Sequence, residues 1–276
     1  MSSTAIKPVG AFLREWRERR RLSQLALALD ADVSARHVSF LETGRARPSR
    51  EMLIRLAERL DVPLRERNTL LLAAGFAPAY AERPLDDPAL SAVRASIDRV
   101  LAGHEPYPAL AIDRHWTLIA ANRTVSPLLT QVEPSLLQPP INVLRLSLHP
   151  AGLAPRIANL DQWRRHLLER LRHQVEATAD AELADLFDEL HAYEIPQSTG
   201  PTTAPSDEQG NVFVPLRLNT DQGQLALLST TMVFGTPVDV TLAELAIEAF
   251  FPADADTAER LLQLAEPMRS PAEVDR

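Results

Sequence analysis

Two serines that stand ahead of short apolar-periodic segments most constrain what the first part of this chain can fold into. Ser23 precedes one such segment, and Ser34 precedes a second, in which Val38 and Leu41 have helical spacing. A serine at the N-cap accepts a hydrogen bond from a free backbone N–H and so fixes where a helix begins. Gly44 provides a C-terminal stop for the second segment. The spacing therefore predicts two short helices joined by a tight turn.

Three more helices are predicted around this pair. Residues 10–20 carry apolar side chains at helical spacing among charged ones, which predicts an amphipathic first helix. Pro48 and Ser49 restart the chain in a fourth helix, and residues 64–74 form a fifth that ends at Gly75. Residues 1–76 are therefore expected to form an all-α domain of five helices.

The charge of the chain divides at the end of this predicted domain. The whole sequence has a net charge of -8, but residues 1–76 hold 14 Lys and Arg against 9 Asp and Glu. Residues 77–276 hold 15 against 28. This asymmetry indicates that the first domain faces a polyanion and that the acidic remainder favours solubility.

The turn between the two short helices belongs to a longer pattern. It consists of Ser23-Gln24, Val33-Ser34, Val38, Leu41-Glu42, Gly44 and Pro48-Ser49. This pattern resembles the lambda-repressor/Cro-like helix-turn-helix of the xenobiotic-response-element (XRE) family. The resemblance implies binding to a double-stranded DNA operator, with the helix that follows Ser34 in the major groove. Proteins of this kind bind paired half-sites, so a homodimer is expected.

The residues expected to contact DNA lie on and around that helix. They are Gln24, Ser34, Arg36, His37, Ser39, Arg45 and Arg47. Arg36 and His37 are the expected base readers, since an arginine can donate two hydrogen bonds to one guanine. Arg45 and Arg47 suit phosphate contacts, which add salt-dependent affinity without sequence preference. The resemblance places Gln24 against the DNA backbone.

A proline-containing linker, residues 77–88, is predicted to separate this domain from a second one, residues 89–276. The second domain is expected to contain helices at 90–102, 160–178 and 181–193, strands at 110–112, 117–120, 212–218 and 225–234, and a polar loop at 197–211. Residues 242–251 are ambiguous between helix and strand, because their residue types favour a helix while their apolar spacing also fits a strand.

Four stretches of the second domain carry a further resemblance. They are Asp113-Arg114-His115-Trp116 with Ala121-Asn122, Asn142-Val143-Leu144-Arg145 with His149-Pro150, residues 159–163, and Thr236-Pro237-Val238-Asp239-Val240-Thr241. These stretches resemble the MmyB-like ligand-binding domain that follows this helix-turn-helix in many regulators. The resemblance implies a PAS-like fold, in which residues 242–251 form the last strand of a five-stranded antiparallel sheet. The chain is therefore expected to be α+β.

A PAS-like interior can hold a small apolar molecule, and family precedent implies a fatty-acid-like effector. The expected effector-binding residues are Trp116, Leu118, Leu144, Arg145, Leu148, His149, Trp163, Leu167 and Phe234. Arg145 or His149 would meet a carboxylate head, whereas core packing is the commoner role for each apolar residue taken singly. Two alternatives stay open, a domain that only dimerises and a sensor that carries flavin or haem. Asn122 and Asn142 are expected to cap or turn the backbone.

Other chemistries find little support in the sequence. There is no cysteine, no glycine-rich phosphate loop and no nucleophile-elbow motif, so an enzyme and a bound nucleotide cofactor are not expected. His166 and His173 share a helical face, but such a pair on a polar helix is usually solvated, and no metal site is predicted. No apolar run approaches the roughly 20 residues that cross a bilayer, and residues 1–10 lack the apolar segment of a signal peptide. A cytoplasmic protein is expected.

Overall fold

The structure, a computed structural model, describes residues 7–194, 213–235 and 237–265. The chain forms two compact units that divide between Pro84 and Leu85. Two short segments, Glu176–Ala179 and Thr236–Ala243, group with the first unit. The division lies within the segment 77–88 predicted as a linker, and the predicted domain limits themselves stay predictions.

Residues 7–84 contain five α-helices. They are α1 (Val9–Arg19), α2 (Gln24–Asp30), α3 (Ala35–Glu42), α4 (Arg50–Arg59) and α5 (Leu64–Ala73). The hydroxyls of Ser23, Ser34 and Ser49 each accept a hydrogen bond from a backbone N–H at the start of α2, α3 and α4. Gly44 and Gly75 follow α3 and α5 with φ of 73° and 84°, a conformation that glycine adopts without steric strain. The predicted helices and their caps are confirmed.

The first unit has its own hydrophobic core. Leu13, Trp16, Leu27, Leu41 and Leu53 are buried in it together with residues of α5. A close approach of two backbones supports this packing, because Gly10 of α1 lies against the end of α3. A Cβ at that position would lie 2.4 Å from a backbone carbonyl oxygen of α3, so no larger residue fits without a shift.

Within the described residues, the second unit contains one sheet of five antiparallel strands. They are β1 (Ala109–Ile112), β2 (Leu118–Ala121), β3 (Leu216–Thr220), β4 (Gly223–Val233) and β5 (Ala246–Pro252), in the order β2-β1-β5-β4-β3. The five-stranded antiparallel sheet and the α+β class are confirmed. The likeness to a PAS domain stays a prediction.

The described part of the chain after residue 84 also contains helices. They are α6 (Ser91–Gly103), α7 (Val143–Leu148), α8 (Leu160–Thr178), α9 (Ala181–Ala192), α10 (Val240–Ala243) and α11 (Ala255–Ala265). The helices predicted at 90–102, 160–178 and 181–193 correspond to α6, α8 and α9. Helices α7 and α11 were not predicted. None of the described helices is both long and apolar enough to pass through a bilayer.

The prediction for residues 242–251 is right only in part. The strand begins at Ala246, whereas Val240–Ala243 form a short helix. The reason is local, because the carboxylate of Asp239 accepts a hydrogen bond from the N–H of Thr241 and starts the helix. The strand predicted at 212–218 is observed from Leu216, and Val212 and the predicted loop at 197–211 lie outside the described residues.

Of the two asparagines expected to cap or turn the backbone, Asn142 does so, whereas the side chain of Asn122 makes no cap hydrogen bond and binds backbone groups distant in the sequence. Asn142 is the N-cap of α7 and accepts hydrogen bonds from the N–H groups of Leu144 and Arg145. Asn122 is buried, where its amide donates to two backbone carbonyls and accepts from Ala109 and Thr124. Buried amides of this kind stabilise a loop only when their hydrogen bonds are made, as they are here.

Candidate nucleic-acid interface and ligand cavity

Helix α3 carries an exposed basic side chain directly after its capped N-terminus. Ser34 uses its hydroxyl to accept from the N–H of His37, 3.1 Å away, and Arg36 beside it is exposed. His37 and Ser39 are half-buried. The core face of this helix is formed by Val38 and Leu41. The first turn therefore combines a fixed backbone with one long cationic side chain.

Phe40 lies between two arginines of this surface. The guanidinium carbon of Arg36 is 5.1 Å from the centre of the Phe40 ring, and that of Arg45 is 6.0 Å away. Such cation–π contacts contribute about 0.5–1 kcal/mol at exposed sites. Phe40 therefore restricts the side-chain positions of Arg36, which is expected to read bases, and of Arg45, which is expected to contact phosphate. Arg47 is exposed in the loop after α3.

A buried ion pair ties the helix pair to α1. Glu42 accepts from Nε and Nη2 of Arg17, at 2.6 and 2.9 Å, and from the side-chain amide of Gln24 at 2.8 Å. The side chains of Glu42 and Arg17 are only 2% and 11% exposed. The hydrogen bonds to Glu42 raise the pKa of Arg17 above its ordinary value. This network fixes Gln24 at the start of α2.

The second unit contains a cavity of about 110 Å³ that is partly open to solvent. It lies between the sheet and helices α7 and α8, and most of the residues around it are leucine, valine, tryptophan and phenylalanine. Those used below are Trp116, Leu118, Leu144, Ser147, Trp163, Leu167, Arg170, Leu227, Ser229 and Glu248. The indole N–H groups of the two tryptophans are satisfied by Gln174 and Ser147, so both rings present apolar faces.

Trp116 stands on a turn with a left-handed backbone. Its φ is 65°, a conformation that costs a residue with a bulky side chain free energy. The carboxylate of Asp113 holds the turn by accepting from the N–H groups of His115 and Thr117, both at 2.8 Å. The carbonyl of Trp116 accepts from the N–H of Val143 at 2.9 Å. The turn therefore fixes the ring at the edge of the cavity.

An ion pair forms the polar end of this cavity. Arg170 of α8 donates from Nη1 to Glu248 of β5 at 3.1 Å and from Nη2 to the hydroxyl of Thr231 at 2.7 Å. A further, short hydrogen bond joins Nη2 to the same carboxylate. The Thr231 hydroxyl also donates to Glu248 at 2.9 Å, and the guanidinium carbon lies 4.5 Å from the Trp116 ring centre. Burial and the nearby Arg170 lower the pKa of His166.

Comparison with protein families assigns both units. Residues 13–67 match the helix-turn-helix family, and residues 93–264 match the MmyB-like transcription regulator ligand binding domain. The chain belongs to this MmyB-like family. The two matched families are a helix-turn-helix domain and the ligand-binding domain of transcription regulators, which agrees with the resemblance found in the sequence.

Two other comparisons add little to this assignment. No curated protein matches the MmyB-like regulator. Among solved structures, an RNA-binding light-oxygen-voltage receptor is 12% identical, and the match covers 94% of this chain. The regulator spans only 64% of that structure, with a TM-score of 0.27, so no argument about fold or function rests on it.

The structure places five of the nine residues expected to contact an effector on the cavity of the MmyB-like regulator. They are Trp116, Leu118, Leu144, Trp163 and Leu167. Of the residues expected to contact DNA, Arg36, Arg45 and Arg47 are exposed, whereas Ser34 and Gln24 already hold a cap and a side-chain network. Their contacts with DNA stay predictions.

The two residues expected to meet a carboxylate head do not line the cavity. Arg145 pairs instead with Glu189 of α9, at 2.7–3.0 Å, and its side chain is 43% exposed. His149 packs its ring 5.1 Å from that of Tyr193, which donates to the same carboxylate. The reason is the short helix α7, which turns Leu144 toward the cavity and Arg145 toward α9.

Two apolar residues are also absent from the cavity lining. Leu148, the last residue of α7, is buried in the surrounding core. Phe234 follows the end of β4, where side chains from Thr230 to Val233 are exposed. In that strand Leu227 and Ser229 face the cavity, and alternation of strand side chains places Phe234 out of phase with them.

Sequence reasoning missed the polar end of the cavity, although both residues left a signal. Arg170 lies three residues after Leu167 and seven after Trp163, and therefore on the same helix face. Glu248 is the one charged residue in the apolar segment 245–251. A lone carboxylate in such a segment is buried only when it is paired.

Proposed function

We propose that α3 of this regulator reads a specific DNA operator and that the cavity binds a small apolar effector that changes the affinity for that operator. The proposal for the effector rests on one observation, which is the cavity itself. Protein interiors are close-packed, and voids larger than a water molecule are few. A cavity of about 110 Å³ is therefore a site to be filled.

The volume of the cavity determines how much stabilising free energy a ligand can gain by filling it. Filling an enclosed apolar cavity stabilises a protein by about 24 cal/mol per Å³, so a ligand that fills about 110 Å³ of this partly open site gains at most about 2.6 kcal/mol in this way. Stabilities of folded domains are only about 5–15 kcal/mol. A ligand that fills the cavity recovers packing of this order, in addition to the hydrophobic gain from its own surface.

The lining favours an effector with an acyl chain. Leucines from α7, α8 and the sheet surround the cavity, and two tryptophan rings lie at its edge. A fatty acid is accordingly the first effector class to test. The exposed Arg36, Arg45 and Arg47 support the proposal for DNA, and paired half-sites bound by a homodimer are the expected operator.

The experiment is a selection of bound sequences from a random DNA pool, with and without a saturating fatty acid. An enriched palindrome whose recovery changes with the lipid supports both assignments. Enrichment that ignores every acyl compound, with none retained by the protein in native mass spectrometry, leaves a second unit that only dimerises. Visible absorption of the purified protein would point to flavin or haem instead, and failure to enrich any sequence refutes the proposed operator.

A further inference from the structure

The lining of the cavity is mostly apolar; besides two serines, its polar residues are Arg170 and Glu248, whose opposite charges balance each other. Arg170 and Glu248 both line the cavity, and they bind each other. The side chain of Glu248 is 5% exposed and that of Arg170 is 30% exposed. The ion pair is therefore the charged group that an effector meets in a mostly apolar site.

The hydrogen bonds of this pair leave room for a ligand. A guanidinium has five N–H donors, and Arg170 uses three of them on Glu248 and Thr231. A carboxylate offers about four acceptor positions. Glu248 fills three of them with two bonds from Arg170 and one from Thr231. Arg170 therefore keeps unused N–H donors and Glu248 keeps an unused acceptor position, while the pair as a whole carries no net charge.

We infer that the effector carries an uncharged head group that both accepts and donates hydrogen bonds, such as a primary amide, on its apolar chain. The inference rests on the proposed function and names the head group for the same site. The amide carbonyl accepts from Arg170, and the amide N–H donates to Glu248. The amide then uses both a free N–H donor of Arg170 and the free acceptor position of Glu248.

A carboxylate anion fits this end of the cavity less well. It can only accept hydrogen bonds, and it brings a second negative charge beside Glu248. It can accept from the same unused N–H groups of Arg170, but it then shares one positive charge with Glu248 and leaves the free acceptor position of that buried carboxylate without a donor. The binding of a fatty acid anion is therefore penalised in comparison with its neutral amide.

The test compares decanamide with decanoate, which share a chain and a planar head group and differ in charge. Isothermal titration calorimetry on the full-length protein at neutral pH measures both dissociation constants. Decanamide is expected to bind at least about tenfold more tightly, because like charges close together cost more than the 1.4 kcal/mol that corresponds to tenfold. This comparison needs no variant.

Glu248→Gln provides the second arm. The substitution keeps the shape of the side chain and leaves the charge of Arg170 unbalanced, so the order is expected to reverse, with decanoate gaining at least about tenfold over decanamide. Glu189→Gln is the matched control. Glu189 pairs with Arg145 outside the cavity, and its removal should leave the order unchanged. Circular dichroism establishes that each variant is folded.

The possible results of these titrations distinguish a wrong head group from a wrong proposed function. Decanoate binding to the unaltered protein as tightly as decanamide overturns the head-group inference and leaves the apolar effector in place. An unchanged order in folded Glu248→Gln also overturns it, because Glu248 would then not face the ligand. Binding of neither compound removes the acyl effector and the inference with it.

Discussion

Removing the carboxylate of Glu42 is expected to destabilise the first unit more than any exposed substitution in it. Glu42→Ala removes the acceptor of two hydrogen bonds from Arg17 and one from Gln24. Arg17 is only 11% exposed and would keep its charge without a counterion. Loss of one partner of a buried ion pair costs about 3–5 kcal/mol. That is a large part of the stability of a small domain.

Differential scanning calorimetry of the full-length protein measures the effect. A loss of 1 kcal/mol lowers the Tm of a domain of this size by about 4–8 °C, so the transition of the first unit should fall by at least about 12 °C. Hydrogen exchange of the α1–α3 amides assigns the transition. Glu51→Ala is the matched control, because Glu51 is exposed in the first turn of α4 and its loss costs about 0.3–1 kcal/mol.

A double substitution distinguishes the ion pair from mere loss of side-chain volume. Arg17→Met with Glu42→Leu replaces both charges by apolar groups, a change that is often neutral or stabilising at buried pairs. The double variant should therefore recover most of the lost Tm. A Glu42→Ala transition that stays within the range of Glu51→Ala would falsify the assignment of Arg17 and Glu42 as a stabilising buried pair.

Three further predictions concern the first unit. Arg36→Ala should lower the affinity for the selected operator by about 1–3 kcal/mol more than the affinity for random DNA. Arg47→Ala should weaken binding to the operator and to random DNA equally and reduce the salt slope by about 1 in gel-shift titrations. Equal losses of affinity for the two DNAs in Arg36→Ala would contradict base reading by Arg36. Phe40→Leu should weaken operator binding by about 0.5–1 kcal/mol through loss of the cation–π contact, and unchanged affinity excludes that role. Gly10→Ala should lower the free energy of unfolding by about 1–3 kcal/mol in thermal melts, because the added Cβ meets the backbone of α3. Gly103→Ala is the control, since Gly103 has open space around it, and it should not lower stability. Equal effects of the two substitutions would contradict the close contact of Gly10 with α3.

The first unit could be predicted because its signals are local. Ser23 and Ser34 cap the helices that follow them, and Gly44 and Gly75 end the helices before them. Each signal acts within one turn of a helix and needs no knowledge of tertiary contacts. Residues 242–251 show the limit of such reasoning, because the segment contains the end of a short helix and most of a strand within ten residues.

The cavity could be predicted most directly on α8, where the helical period alone decides the direction of each side chain. Trp163 and Leu167 follow the period of α8, and both line the cavity. Arg145 was misplaced because the existence of α7, and hence the face that each residue occupies, was not recognised. The pair of Arg170 and Glu248 joins residues 78 positions apart, and no local pattern specifies which helix face meets which strand.

Filling the cavity is not by itself regulation. A ligand that binds the folded second unit stabilises it by mass action whether or not DNA is present. It changes operator affinity only if it has different affinities for the DNA-competent state and the other state of the protein. Because this coupling is reciprocal, the operator must change the effector's dissociation constant by the same factor as the effector changes the operator's. Measuring both factors with one acyl compound therefore decides whether the cavity is a regulatory site, and a factor of one in both directions would reduce it to a stabilising lipid site.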